Sequence, residues 1–371
     1  LQMELSRQML LLTAENYGSY FLHITKQLNS LLIVSFLLLI SSCKDTNKVD
    51  CQIGDSAKNI SFSDYVDSIK TVYFCEDSIV LGDAKKIVKA QKCYYVLSQQ
   101  KDAIIKCEES GKICAILRRL GHSKEEYTKI LDYSIDETNE TLVTLCAGSK
   151  LMVYDLSFNL KYVKELSLSC VSVCAFKGNI YCYSDKRQIV KVADQGLDVM
   201  LKGETFPAYI YGLSPIFYKV GDKLFAVMEY DNTIYEIEDG ELVPILTYSY
   251  PKQIKTIERM RKNDVMVEIE DIIEHSSVSV FNMELQQDRL AIIYSYDMLM
   301  RVCVIDINTK KLLSDGIIIG DYPKWISKHS CLGYAYSKDF EMKYVEEQKK
   351  VIRVGDKEED SNLIIEYYLH F

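Results

Sequence analysis

Four of the chain's five histidines, His122, His275, His329 and His370, fall in its larger C-terminal part, and a histidine can act as a general base or a metal ligand. None of the four stands in H-x-x-x-H or H-E-x-x-H spacing, and the chain has no G-x-S-x-G elbow, phosphate loop or dinucleotide fingerprint. Glu268, Asp271, Glu274 and His275 would share one face of a helix and could hold a cation, although a solvated acidic face is the plainer reading. Cys170, Cys174 and Cys182 lack the paired spacing and nearby histidine of a zinc site. Neither a metal nor a cofactor is expected. The residues best placed to touch a ligand are irregular ones. His122, Glu126 and Tyr127 belong to one loop, while Tyr322 and Trp325 fall in Asp321-Tyr322-Pro323-Lys324-Trp325, where an aromatic ring could stack on a sugar or anchor a protein. Tyr209, Tyr211 and Phe217 pose the same choice between ligand contact and core packing.

Lys26 precedes an uncharged apolar run, Leu31 to Ile40, which is too short to span a hydrocarbon core that needs about 20 residues. That length suits a secretory signal. The run ends in Ile40-Ser41-Ser42-Cys43, which resembles the bacterial lipobox. The resemblance implies that Cys43 is acylated and becomes the mature N-terminus; the alternative is an ordinary secretory signal with an incidental cysteine. Residues 1–43 are therefore read as an upstream extension from a misplaced start, Leu1 to Thr25, plus the lipoprotein signal peptide. Polar residues 44–59 are read as a flexible tether, and 60–371 as the folded domain.

Composition limits what the body can be. The formal net charge is -9 with acids and bases interleaved, which argues against a coherent basic face for nucleic acid. There are 27 Tyr and 12 Phe against 5 Pro, a balance that favours strands. Eleven of the twelve cysteines lie beyond Cys43, an odd number, and most sit inside apolar runs such as AIIKCE and RVCVID. Small core filler is the expected role, not a disulfide framework.

Strand-length apolar runs separated by turn residues recur in sets of four, the clearest between Ile130 and Leu166. One kind of turn joins the first two strands of each set (Gln91-Lys92, Glu137 to Glu140, Lys177 to Asn179, Val220 to Lys223, Gln286 to Asp288). Another joins the last two and follows a recurrent acid, among them Asp155 and Asp306, read as a turn cap. Units begin near Lys85, Ile130, Cys170, Pro215 and Phe281, with an insertion from Pro251 to about His275 expected as two helical segments. Such a period, with four strands per unit, predicts an all-β, six-bladed β-propeller of four-stranded antiparallel blades. The last blade is assembled from Trp325 to Ser327, Cys331 to Tyr336 and Leu363 to Tyr368, with a helix expected from Lys338 to Val351. It is one strand short, and Ile69 to Cys75 is the natural donor, so the N- and C-terminal strands close the ring.

ISFSDYVDSIKTV near the start, GKICAILRRLGHSKEEYTKILDYSIDE, LMVYDL and the closing SNLIIEYYL resemble the six-bladed β-propeller lipoproteins of Bacteroides-group bacteria, relatives of NHL-repeat propellers. The likeness covers about Ser61 to Phe371. The family has a G-x-G-P-G-E-Y loop, of which Gly121, Glu126 and Tyr127 match while Ser123, Lys124 and Glu125 depart; Ser123 and Glu126 could instead form a capping box. The expectation is a lipid-anchored propeller in the cell envelope, periplasmic or surface-exposed on the outer membrane. It would be a non-catalytic binding or scaffold module for a protein, peptide or glycan. The alternative is a propeller hydrolase or lyase with a divalent cation in the central channel.

Overall fold

Runs rich in Val, Ile, Tyr and Cys become strands, and the polar breaks between them become hairpin turns. A computed structural model describes residues 49–74, 84–98, 100–203, 216–228, 231–250, 279–296, 299–319, 325–327, 330–335, 349–354 and 363–370. These lie in one unit, Val49–Phe371. Three strands come first: β1 (Cys51–Gln52), β2 (Asn59–Ser61) and β3 (Val66–Tyr73). Blade one is β4 (Ala84–Ala90), β5 (Cys93–Ser98), β6 (Ala103–Glu108) and β7 (Ile113–Leu117). Blade two is β8 (Ile130–Asp136), β9 (Thr141–Cys146), β10 (Lys150–Asp155) and β11 (Leu160–Glu165). Blade three is β12 (Cys170–Phe176), β13 (Asn179–Ser184), β14 (Gln188–Val192) and β15 (Leu197–Lys202). Blade four is β16 (Phe217–Val220), β17 (Lys223–Val227), β18 (Thr233–Glu238) and β19 (Glu241–Ser249). Blade five is β20 (Ser279–Gln286), β21 (Arg289–Tyr296), β22 (Leu299–Asp306) and β23 (Lys311–Ile319). Blade six holds β24 (Trp325–Ser327), β25 (Ser330–Ala335), β26 (Lys350–Val354) and β27 (Leu363–Leu369).

The turns fall where the sequence puts them. Gln91 and Gln287 adopt positive φ (53° and 54°) in two-residue hairpins, the conformation that matches the strands' twist. Asp155 accepts from the amides of Ser157 and Asn159 and from the Asn159 side chain, and Asp306 accepts from the amides of Asn308 and Thr309. These two recurrent acids are turn caps.

Each pair of neighbouring blades encloses an apolar cluster. The first lies between blades one and two around Tyr95, Tyr133 and Tyr154, and the ring returns to its start with Val72, Ile87, Val96 and Ile364 between blades six and one. Tyrosine suits this wedge because its ring is large and its hydroxyl can reach the adjacent blade. Tyr133 donates to the Tyr95 carbonyl at 2.6 Å, and Tyr218 to the Val280 carbonyl at 2.7 Å. Nine cysteines whose side chains are described are free thiols, and seven of them are buried.

The N-terminal strand does close the last blade, with more company than expected. The order is β24-β25-β27-β3-β26, so β3 pairs antiparallel with β27 while β26 pairs parallel with its other edge. Lys350 and Val351 are therefore strand, not the end of a helix. The β-branched run Val351-Ile352 favours extension, and β3's edge supplies the partner. Residues 338–348 of that expected helix and the insertion at 251–278 lie outside the described residues.

The segment expected as a tether is, from Asp50 onward, strapped to the rim. The Asp50 amide donates to the Thr247 carbonyl at 2.8 Å, and Asp50 Oδ2 accepts from the Thr247 amide at 2.9 Å. β1 then adds in parallel to β19, and β2 in parallel to β23. Ile53 and Ile60 are buried, and it is this burial that polar composition concealed. A Cβ on Gly316 would come within 2.6 Å of the Lys58 carbonyl oxygen, so glycine there lets the strap approach. Asp315 holds it, accepting from the Gly54 amide at 2.9 Å, the Ser56 amide at 3.4 Å and the Tyr294 hydroxyl at 2.7 Å. Arg301, paired with Asp315 at 3.4 Å, donates to the Ser56 carbonyl.

Candidate functional site

The six first strands, β4, β8, β12, β16, β20 and β24, form the inner wall of the ring. An inner strand has one edge with no neighbouring strand, so its backbone groups must find other partners. On β8 the partners are charged. The carbonyls of Leu131, Tyr133 and Ile135, at alternate positions, accept from the ammonium groups of Lys85, Lys86 and Lys219 respectively. Lys85 and Lys86 come from blade one. Lys219 comes from β16 in blade four and reaches past blade three, also donating to Ser134 Oγ at 3.0 Å.

The alternate side chains of β8 do the converse for β12. Asp132 Oδ2 accepts from the Val173 amide at 2.9 Å and the Ser172 hydroxyl at 2.8 Å. Ser134 Oγ accepts from the Ala175 amide at 2.9 Å, and Asp136 Oδ2 from the Gly178 amide at 2.6 Å. Blades two and three are thus stitched without a shared ladder. Lys86 also meets Asp132 at 2.7 Å.

Burial sets the electrostatics. It lowers Lys219 from the ordinary lysine range; Cys174 opposes this and Lys86 reinforces it. Lys85 is lowered first by desolvation, with Asp132 pulling the other way and Lys129 and Lys86 pushing further down. Burial alone would raise Asp136, but the Gly178 amide, the Asn139 side chain, Lys219 and the Thr138 amide together hold it below the usual carboxylate range. The wall between blades one and four is therefore a column of ammonium groups beside carboxylates already committed to backbone amides.

The residues expected from sequence are dispersed. Glu126 accepts from the Ser123 amide at 3.0 Å and lies over Gly121, where a Cβ would stand 2.1 Å from Glu126 Oε2. That is half of the capping box, closing a turn and not a helix. Tyr127 is buried; its hydroxyl donates toward the Asp102 and Leu117 carbonyls and accepts from the Arg119 amide, and burial pushes it up to about 12. Lys150 clamps the loop by donating to the Glu126 carbonyl at 2.8 Å. His122 faces solvent. Trp325 opens the inner strand of blade six. Phe217 packs against the cluster between blades three and four. Cys43, Tyr322, Tyr209, Tyr211, His275 and His329 lie outside the described residues. Sequence reasoning passed over Lys85, Lys86, Lys219 and the Asp132-x-Ser134-x-Asp136 alternation, whose polar residues inside a strand were the available signal. Among the described residues no group of three or more His, Cys, Asp or Glu could hold a metal ion, and no helix is long and apolar enough to cross a membrane.

A protein of Bacteroides fragilis NCTC 9343, described as exported, is similar with a TM-score of 0.62 and 16% identity, over 86% of this chain and 99% of its own. A member of the duf4221 family from Bacteroides vulgatus has a TM-score of 0.49 and 6% identity, over 82% of this chain and 99% of its own. BamB from Moraxella catarrhalis has 0.43 and 10%, over 71% and 69%. No curated protein matches the sequence. The model of the DUF5128 family, described as 6-bladed beta-propeller, matches residues 41–318. Six four-stranded repeats closed into a ring, together with that match over most of the chain, place this protein in the DUF5128 family of six-bladed β-propellers.

Proposed function

We propose that this chain is a lipid-anchored β-propeller of the cell envelope that acts as a non-catalytic binding or scaffold module for a protein, peptide or glycan. The observation that carries the reading is the state of the inner wall. Asp132 and Asp136 are engaged by backbone amides and, for Asp132, by a lysine, so they hold blades together and are poorly disposed to transfer protons or ligate a cation. Lys86 and Lys219 put positive charge where the rival reading, a channel hydrolase or lyase, would place a divalent ion.

The anchor rests on Ile40-Ser41-Ser42-Cys43, and the exported Bacteroides neighbour supports an envelope location. If Cys43 carries the lipid, the seven residues to Asp50 reach at most about 25 Å, which would hold the rim of blade four near the bilayer. Metabolic labelling with palmitate tests the anchor, since Cys43→Ser should lose both label and membrane association. For the body, purified protein is assayed for ligand capture from envelope extracts and for bound metal by elemental analysis. Stoichiometric divalent metal with metal-dependent turnover of a captured ligand would defeat the binding-module reading.

A further inference from the structure

We propose that the central channel binds an extended acidic peptide whose alternate carboxylates meet the lysines on the inner edge of blade two. This deepens the binding-module reading and rests on it.

Spacing is the first argument. The carbonyls of Leu131, Tyr133 and Ile135 each hold a lysine ammonium, and alternate residues of a strand lie about 7 Å apart. The three charges therefore form a column with the repeat of an extended chain. A peptide in that conformation presents every second side chain to one side at the same interval.

Charge is the second. Among the described residues Lys219 is hydrogen-bonded by neutral oxygens, Ser134 Oγ and the Ile135 carbonyl. Lys86 divides itself between Asp132 and the Tyr133 carbonyl. An ammonium has three donors, so each keeps one for a ligand. Asp132 is shared with Ser172 and Val173, and Asp136, which acts on Lys219 only through space, is satisfied by Gly178, Asn139 and Thr138, so neither carboxylate hydrogen-bonds Lys219. Burial already penalises the Lys219 charge. A carboxylate would relieve it. Low-dielectric walls strengthen the pull of these ammonium groups on an entering carboxylate.

The test uses the full-length purified chain and two fluorescein-labelled peptides of one composition, Glu-Thr-Glu-Thr-Glu and Glu-Glu-Glu-Thr-Thr, followed by fluorescence anisotropy at fixed low ionic strength. The alternating peptide should bind about tenfold more tightly than the blocked one, and Lys219→Gln and Lys86→Gln should each weaken it about tenfold. Lys161→Gln, on the outer strand of blade two, should change nothing. Circular dichroism identifies any variant that fails to fold, and the other lysine variant then decides. Equal binding of the two peptides, no binding by the wild type, or unchanged affinity in the folded lysine variants overturns the inference. Binding of a uronic-acid oligosaccharide in place of the peptide overturns the ligand class. Capture of some other envelope ligand, with neither peptide bound, leaves the binding-module reading standing while this inference falls.

Discussion

Asp315→Ala should detach the N-terminal strap and lower the stability of the ring. The wild-type carboxylate takes hydrogen bonds from the Gly54 amide, the Ser56 amide and the Tyr294 hydroxyl, and it pairs with Arg301; both partners of the ion pair are about 5% exposed. Removing one member of a buried pair typically costs 3–5 kcal/mol because the other charge is left behind. Arg301 keeps the Ser56 carbonyl and the Tyr294 hydroxyl, so the low end applies, about 3 kcal/mol. For a unit of this size that corresponds to a fall in Tm of about 4 °C. Denaturant unfolding gives the global loss, and amide hydrogen exchange at Gly54, Ile53 and Ser56 should report earlier opening of the strap. Adding Arg301→Met should recover part of the loss, since the stranded charge is then gone. A loss below about 1 kcal/mol with unchanged exchange at Gly54 would refute the assignment of Asp315 as the strap's anchor.

Tyr133→Phe leaves the buried Tyr95 carbonyl without its inter-blade donor, and chemical denaturation should show a loss of about 1 kcal/mol. Asp136 has a folded-state pKa held below its unfolded value, so its contribution is complete above about pH 4 and is lost as pH falls through the lower folded value. Asp136→Asn should therefore flatten the acid limb of the stability profile measured by urea unfolding between about pH 5 and 2. Gly121→Ala forces Glu126 off the loop, because the added Cβ would overlap its carboxylate. The Ser123 amide should then exchange faster, with a stability cost of about 1 kcal/mol.

The candidate site divides into what sequence could and could not reveal. The loop at Gly121 to Tyr127 was visible as an interruption of the repeat, yet its residues serve the loop itself: Glu126 caps Ser123, and Tyr127 is buried against the carbonyls of Asp102 and Leu117. The lysine column was hidden by distance along the chain. Lys219 and Ile135 are 84 residues apart, and no local pattern joins them. The strap was missed for a related reason. Residues 50–61 look too polar to order, but pairing to the rims of blades four and five satisfies their backbone and buries Ile53 and Ile60.

Strand positions, turn positions and the count of blades were set by the sequence alone, because they depend on alternation and backbone preferences acting over a few residues. The turn caps at Asp155 and Asp306 belong to the same class. Which blade edge receives the strap, and which carbonyls receive Lys85, Lys86 and Lys219, was decided only when the ring closed. Those contacts join segments whose proximity follows from stacking six blades around one axis, and unpaired edge groups then take whatever partner that stacking brings within reach.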